Sequence, residues 1–213
     1  MAKKKTKKIN KKLLIAVIVI VALCAAAAIY AAVMNKGSGS AQDASATDYI
    51  QIDIENYGTI TAELYGNVAP ITVKNFMKLV DDGFYNGLTF HRIISGFMIQ
   101  GGDPLGTGMG GAPDKIKGEF KANGVENNID HTRGVLSMAR SQMYDSASSQ
   151  FFIMHADAPH LNGQYAAFGR VLTGIEVVDA ICQNTPVTDR NGSVAAANQP
   201  KITNITRIEK PAA

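Results

Sequence analysis

One arginine stands where an arginine is hardest to place. Arg92 lies in the run Thr89 to Gly111, TFHRIISGFMIQGGDPLGTGMGG, among β-branched and aromatic residues that read as buried strand. A guanidinium is always charged and is rarely buried without a partner. A carboxylate supplied from elsewhere in the fold would account for it. So would a groove in which one strong donor stands beside apolar walls. The residues able to build such walls are Phe97, Met98, Phe152, Leu161 and Tyr165. Each alone reads as ordinary core, and together they suit a shallow apolar pocket with a donor at its edge.

Other chemistries fit the chain less well. Gly106-Thr107-Gly108-Met109-Gly110-Gly111 satisfies the dinucleotide pattern G-x-G-x-x-G. That pattern carries meaning only between a strand and a helix. Here Asp103-Pro104 precedes it and Pro113 follows, so no helix N-terminus is offered to a pyrophosphate, and a structural loop is expected. The four histidines, 91, 131, 155 and 160, show neither H-E-x-x-H nor a clustered Cys/His spacing, so no metal is expected. The serines at 146, 148 and 149 lie in no G-x-S-x-G elbow. No cofactor is expected.

The elements that must position these residues follow from periodicity. Ile50, Ile52 and Ile54 alternate with Gln51, Asp53 and Glu55, and Ile60, Ala62 and Leu64 alternate within Thr59 to Tyr65. With Asn56-Tyr57-Gly58 between them, the two runs predict a β-hairpin with one buried face. Pro70 to Asp82 changes period: Val73, Phe76, Met77 and Val80 make one helical stripe, with Pro70 in the first turn and Gly83 past the end. Further strands are expected at Arg92 to Ile99 (broken at Ser95-Gly96), Gly134 to Ala139, Gln150 to Met154 and Tyr165 to Val171, with a second helix at Ile175 to Cys182. Ile202 to Ile208 reads as a closing strand, but its isoleucines fall every third residue, which calls for a bulge or argues against a strand there. Strands that do not alternate with helices argue against a parallel sheet. The expected fold is mainly β, a closed antiparallel barrel capped by two helices, because closure removes exposed edges.

Several separated motifs resemble those of the cyclophilins. They are Phe90 to Asp103, Gly134-Val135-Leu136-Ser137-Met138-Ala139, Ser149-Gln150-Phe151-Phe152-Ile153, and Leu161-Asn162-Gly163-Gln164-Tyr165 with Phe168-Gly169. The likeness runs from about Tyr49 to Glu209. It implies an eight-stranded antiparallel barrel with two capping helices and peptidyl-prolyl cis-trans isomerase activity. It further implies that Arg92 is the catalytic arginine and that Phe97, Met98, Phe152 and Leu161 wall a proline pocket. Gln100 and the backbone of Ala139-Arg140 would hold the substrate main chain, and Gln150 would line a neighbouring pocket. This chain has His160 where many eukaryotic members have tryptophan, and Tyr165 where they have a pocket histidine. It has Arg140-Ser141-Gln142-Met143 where the typical loop is Asn-Ala-Gly-Pro. These departures bear on ligand preference rather than on the reaction. A non-catalytic peptide-binding chaperone or scaffold using the same groove is the rival reading, and the retention of Arg92 speaks against it.

Charge divides the chain. Of 21 basic residues, eight lysines precede position 41, where no acid occurs, which leaves 13 basic against 18 acidic residues. A globular part of net charge −5 argues against nucleic-acid binding. Residues 1–12 read as a basic cytoplasmic tail and 13–34 as a transmembrane helix or signal anchor. Leu13 to Val33 carries no charge, and at ~1.5 Å per residue it spans roughly 30 Å of hydrocarbon. Lysines before it place the N-terminus in the cytoplasm and the rest outside. Ala26-Ala27-Ala28 leaves cleavage open, and Cys24 leaves lipid attachment open. Residues 35–47 read as a flexible Gly/Ser/Ala linker with an end-to-end distance of ~20 Å. Residues 48–210 form the expected isomerase domain, taken as monomeric, and 211–213 a short tail. Cys182 has no partner within that domain and reads as a buried structural thiol.

Overall fold

The isoleucine alternation becomes strand β1 (Asp48–Ile54), with Ile50, Ile52 and Ile54 all buried. It pairs antiparallel with β2 (Gly58–Leu64) across a tight turn in which Asn56 has φ 66° and Gly58 φ 111°. The helical stripe becomes α1 (Pro70–Asp81), which buries Val73, Phe76, Met77 and Val80, and Gly83 follows at φ 66°. The broken run resolves into β3 (Thr89–Ile94) and β4 (Met98–Asp103), a hairpin whose turn carries Phe97. Then come β5 (Val135–Met138), β6 (Phe151–Met154), β7 (Ala167–Thr173), α2 (Ile175–Asn184) and β8 (Ile202–Ile208). The computed structural model describes residues 45–211. The basic tail 1–12, the span 13–34 and nearly all of the linker lie outside the described residues. Among the described residues no helix is long and apolar enough to cross a membrane.

The strands form one antiparallel sheet in the order β3-β4-β6-β5-β7-β2-β1-β8. The spacing of isoleucines in β8 is explained by a bulge. Register shifts between Asp53 and Ile54 of β1, so that Ile202 and Ile205 both turn inward. The closed barrel expected from the sequence is not what the ladder gives: the sheet curls into a half-barrel, and its edge strands β3 and β8 do not pair along their length. They are joined at one end by a bridge between Thr89 and Lys201, and by the Phe90 N–H donating to Pro200 O at 2.9 Å. The remaining edge of β3 is covered by a loop. Ile93 N–H donates to Gly192 O (2.8 Å), and Val194 N–H donates to His91 O (3.0 Å). An unpaired edge is thereby satisfied without a ninth strand.

The curled sheet has two apolar faces. Inside, Phe76 of α1 meets Tyr85, Phe151 and Phe168 at ring-centroid distances of 5.0, 5.4 and 5.1 Å. Outside, a second and smaller cluster gathers Met98, Val135, Phe152, Met154, Leu161 and Ala167. Strand β6, Phe-Phe-Ile-Met, is apolar throughout because it feeds both: Phe151 and Ile153 point in, Phe152 and Met154 out. Partly buried Cys182 packs against the inner cluster, and burial pushes its thiol up to about 11, in keeping with a structural role.

Candidate active site

Strand register assembles the site. Arg92 on β3 stands opposite Gln100 on β4, Gln100 opposite Phe152 on β6, and Phe152 opposite Ser137 on β5. One row across the outer face therefore runs from a cation through an amide to an aromatic ring. The next row pairs Ile94 with Met98 and Met98 with Met154. A groove of about 350 Å³ lies over these rows, lined by Arg92, Phe97, Met98, Gln100, Ala139, Arg140, Phe152, His160, Leu161 and Tyr165. Every candidate named from the sequence is there except Gln150. That residue lines an adjoining hollow of about 340 Å³, which shares Gln100, Ala139 and Arg140 with the groove.

Arg92 is held without a counter-charge. Its Nε donates to Asn191 O (2.8 Å), Nη2 to Asn191 Oδ1 (3.1 Å) and Nη1 to Gln100 Oε1 (3.3 Å). Among the described residues no carboxylate forms an ion pair with it. A guanidinium has five N–H groups, so one on each terminal nitrogen remains for a ligand. Burial lowers its pKa, while Tyr165 and Asp189 act in the opposite sense, and the group stays protonated at any working pH.

A relay of amides fixes which end of Gln100 faces the arginine. Gly108 O and Gly110 O accept from Gln150 Nε2 at 3.0 and 2.7 Å, Gln150 Oε1 accepts from Gln100 Nε2 at 2.8 Å, and Gln100 Oε1 is thereby turned to Arg92. The glycine loop that supplies those two carbonyls is organised from within. Asp103 carboxylate oxygens accept the N–H groups of Leu105, Thr107, Gly108 and Gly110. The amides of the dinucleotide-like sequence are thus filled by the chain's own anion. Burial alone would raise the Asp103 pKa, but the four N–H bonds together hold it below the ordinary carboxylate value.

The apolar walls are positioned as firmly. Gly96 N–H donates to His155 Nδ1 (2.7 Å) and His155 N–H to Phe97 O (2.9 Å), fixing the β3–β4 turn. The Phe97 ring stacks on His160 at 5.7 Å. His160 and Leu161 sit on a single 3-10 turn, Pro159–Leu161. Behind Phe152, buried His131 stacks at 6.1 Å and bonds Ser137 Oγ at 3.0 Å, its pKa lowered by burial. Tyr165 stands edge-on to Phe152 at 5.9 Å. It precedes β7 rather than opening it, as the sequence had suggested, which places its ring beside the groove. The Arg140 guanidinium lies over the rings of Tyr165, Tyr144 and Phe120 at 4.6, 5.0 and 5.1 Å. Ala139 N–H is already given to Gln150 O (2.9 Å), so its carbonyl is the group it can offer a ligand.

A larger depression of about 640 Å³ lies around Pro70, Lys78 and Arg207. Most of its charges are paired, Lys78 with Asp82 at 2.7 Å and Arg207 with Asp48 and Asp81, and it has no aromatic wall such as the groove has. Asn191 is the participant that sequence reasoning missed. The turn signature Asp189-x-Asn191-Gly192 marks an ordered loop but says nothing of what it packs against.

An apolar slot on the outer face of a curled antiparallel sheet, with the Arg92 guanidinium at its rim, Arg140 laid over aromatic rings beside it and polar amides along one side, suits a peptide. Comparison with known proteins gives that class its family. The model of the family described as Cyclophilin type peptidyl-prolyl cis-trans isomerase/CLD matches residues 49–208. Peptidyl-prolyl cis-trans isomerase B of Bacillus subtilis is 50% identical over 123 residues, covering 58% of this chain and 82% of the relative. A Helicobacter pylori peptidyl-prolyl cis-trans isomerase is 43% identical over 144 residues, 67% of this chain and 85% of the relative. A Cryptosporidium parvum cyclophilin-type isomerase, solved in the presence of the dipeptide Ala-Pro, superimposes with TM-score 0.67 at 34% identity, over 76% of this chain and 99% of that one. The chain belongs to the cyclophilin-type peptidyl-prolyl cis-trans isomerases, and it is an isomerase acting on proline-containing peptides.

Proposed function

We propose that Arg92 is the catalytic residue of this isomerase and that Phe97, Met98, Phe152 and Leu161 grip the substrate proline ring. The observation that carries this reading is the guanidinium itself, fixed by three hydrogen bonds to neutral acceptors and left with free N–H groups beside an apolar slot. Rotation about an X-Pro bond is opposed by amide resonance, a barrier of ~18–20 kcal/mol. In the twisted transition state the proline nitrogen regains a localised lone pair, which the planar ground state lacks. A donor already aimed at that nitrogen stabilises the transition state more than the substrate, and a fixed donor needs no reorganisation as the charge develops. Gln100, the Ala139 carbonyl, Arg140, Gln150, His160 and Tyr165 hold the flanking peptide. No proton moves and no covalent bond forms or breaks, so neither base nor nucleophile is required.

The test is Arg92→Ala in a protease-coupled assay on a proline peptide. We expect kcat/KM to fall by ~10²–10³ with the fold intact, as on removal of one preorganised donor. Near-full activity in a folded variant contradicts the assignment.

The clients are exported chains, and the domain works outside the cytoplasmic membrane, tethered through residues 13–34 and the linker 35–47. The uncharged 21-residue run Leu13 to Val33, preceded by seven lysines, supports this. Protease added to intact cells with permeabilised outer layers should digest the isomerase domain and spare the basic tail. Protection of the domain until the membrane is lysed rules the topology out.

A further inference from the structure

The outer edge of β3 is sealed by a loop whose construction exceeds what sealing needs. Gly192 takes φ 80°, and a Cβ there would stand 2.3 Å from Ile93 O, so only glycine lets the backbone come this close. Asp189 braces the turn from inside, its Oδ1 accepting the N–H groups of Asn191 (2.9 Å) and Ser193 (3.1 Å), while its carbonyl accepts Gly192 N–H (3.2 Å). Thr188 N–H donates to Ser193 O at 2.7 Å and closes the loop. Out of this frame the exposed Asn191 turns back to the arginine. Its main-chain oxygen takes Nε and its side-chain oxygen takes Nη2. The two acceptors lie along one edge of a planar fork, so they fix the fork's rotation as well as its place. Gln100 constrains the other terminal nitrogen, at the longer distance of 3.3 Å. Without Asn191 a guanidinium on a flexible stem would keep one long bond.

We propose that Asn191 is a positioning residue for the isomerisation, setting the aim of the Arg92 guanidinium, and that the braced turn Asp189 to Ser193 belongs to the catalytic machinery. The inference rests on the assignment of Arg92 as the catalytic group. Asn191 acts through Arg92 and does not touch substrate. Its loss therefore lowers kcat and leaves peptide affinity alone, because the apolar slot that binds the proline is built from other elements. Asn191→Ala removes only the side-chain acceptor. Gly192→Ala is the more severe change, since the backbone must withdraw from Ile93 and carries both Asn191 acceptors with it.

The experiment measures kcat and KM by exchange spectroscopy on the full chain for wild type, Asn191→Ala, Gly192→Ala, Arg92→Ala and the double variant Arg92→Ala/Asn191→Ala. Asn191→Ala is expected to lower kcat about tenfold with KM within about twofold of wild type, and Gly192→Ala to lower it further. The Arg92 Nη resonances, held distinct in wild type by slow rotation about the Nε–Cζ bond, should average in Asn191→Ala. In the Arg92→Ala background the Asn191 change should do nothing more, the non-additivity expected of residues that act as a unit. A wild-type kcat in Asn191→Ala with unchanged Arg92 side-chain signals overturns the proposal. So does an equal loss in both backgrounds, which would mark a merely structural loop. Should Arg92→Ala itself keep full activity, the catalytic assignment falls; should it lose activity while Asn191→Ala does not, only this inference falls.

Discussion

Phe151 and Phe152 are neighbours in one strand and belong to different halves of the protein. Phe151 points into the curl of the sheet and meets Phe76, Tyr85 and Phe90 edge-on at 5.4, 5.6 and 6.1 Å. Phe152 points outward, backed by His131 and flanked by Tyr165, with the groove in front of it. The inner face is closed on all sides by helix and sheet, and its contacts serve stability. The outer face is closed on one side only, and a ligand completes it. A strand one residue out of register would exchange the two, so the β4–β6–β5 ladder that holds the core together is also what puts the apolar slot beside Arg92.

Phe151→Ala should cost ~3–5 kcal/mol of stability, as for a large ring removed from a sealed core, while the molecules that remain folded keep near-normal kcat/KM. Phe152→Ala should reverse the pattern: a smaller loss of stability, because the space opens to solvent, with kcat/KM down ~10–100-fold, the value of burying an apolar ring. Chemical denaturation and peptide turnover on the same samples read both. Equal profiles for the two variants would abolish the distinction between the faces.

Asp103 sits between the two regions, buried at the end of β4 and holding the glycine loop that orients Gln150. Asp103→Asn turns an amide NH2 toward N–H groups now satisfied by Oδ2, and should cost about 2–3 kcal/mol, the scale of a charge-assisted bond in a buried site. The native carboxylate has a depressed pKa. Its contribution is complete above about pH 3.9 and is lost as pH falls through the lower folded value. The variant should lose that acid step in a melting series. An unchanged acid limb would mean that the loop does not depend on the carboxylate.

At the groove's rim His160 occupies the position that the family resemblance gives to tryptophan. The resemblance implies that this indole donates to bound cyclosporin; an imidazole is smaller and better hydrated, so His160→Trp should tighten cyclosporin binding about tenfold by adding a donor and apolar contact. Proline-peptide turnover should change much less. Calorimetric titration giving equal affinities would remove His160 from the argument.

The smallest effect concerns the buried histidines. Burial lowers the pKa of both His91 and His131, and among the described residues neither ring nitrogen of His91 has a hydrogen-bond partner. Depressed folded values mean that the unfolded chain takes up protons first. Stability should therefore be full above about pH 6.5 and decline as pH falls below it, by up to ~1.4 kcal/mol per pH unit for each group. A melting temperature flat from pH 7 to pH 5 contradicts this.

The inner face was the legible part of the sequence. Alternating isoleucines, a 3.6-residue stripe and Pro/Gly punctuation specify β1, β2 and α1 to within a residue, because one-sided burial imposes its period on the chain. Strand β4 was harder. It continues past the end expected at Ile99 through Gly101-Gly102, and glycine stands at both because a Cβ there would lie 2.7 Å from Thr89 O or 2.5 Å from Ser149 O. The wall residues of the groove were legible through their likeness to a family, since an outward-facing Phe or Met carries no period that separates it from core. Asn191 was not legible at all. It reaches Arg92 across 99 positions, from a turn whose composition announces only that it is a turn.

Arg92→Lys tests most directly whether an oriented donor, rather than positive charge alone, makes the outer face catalytic. A lysine keeps the charge, but its ammonium cannot make the three bonds to Asn191 and Gln100 while presenting further fixed N–H groups to a proline nitrogen. With folding confirmed and peptide exchange measured at saturation, kcat should fall to within about threefold of the Arg92→Ala value. A lysine variant that turns over at nearly the wild-type rate would show that charge at the rim suffices, and would contradict the account of the fixed fork.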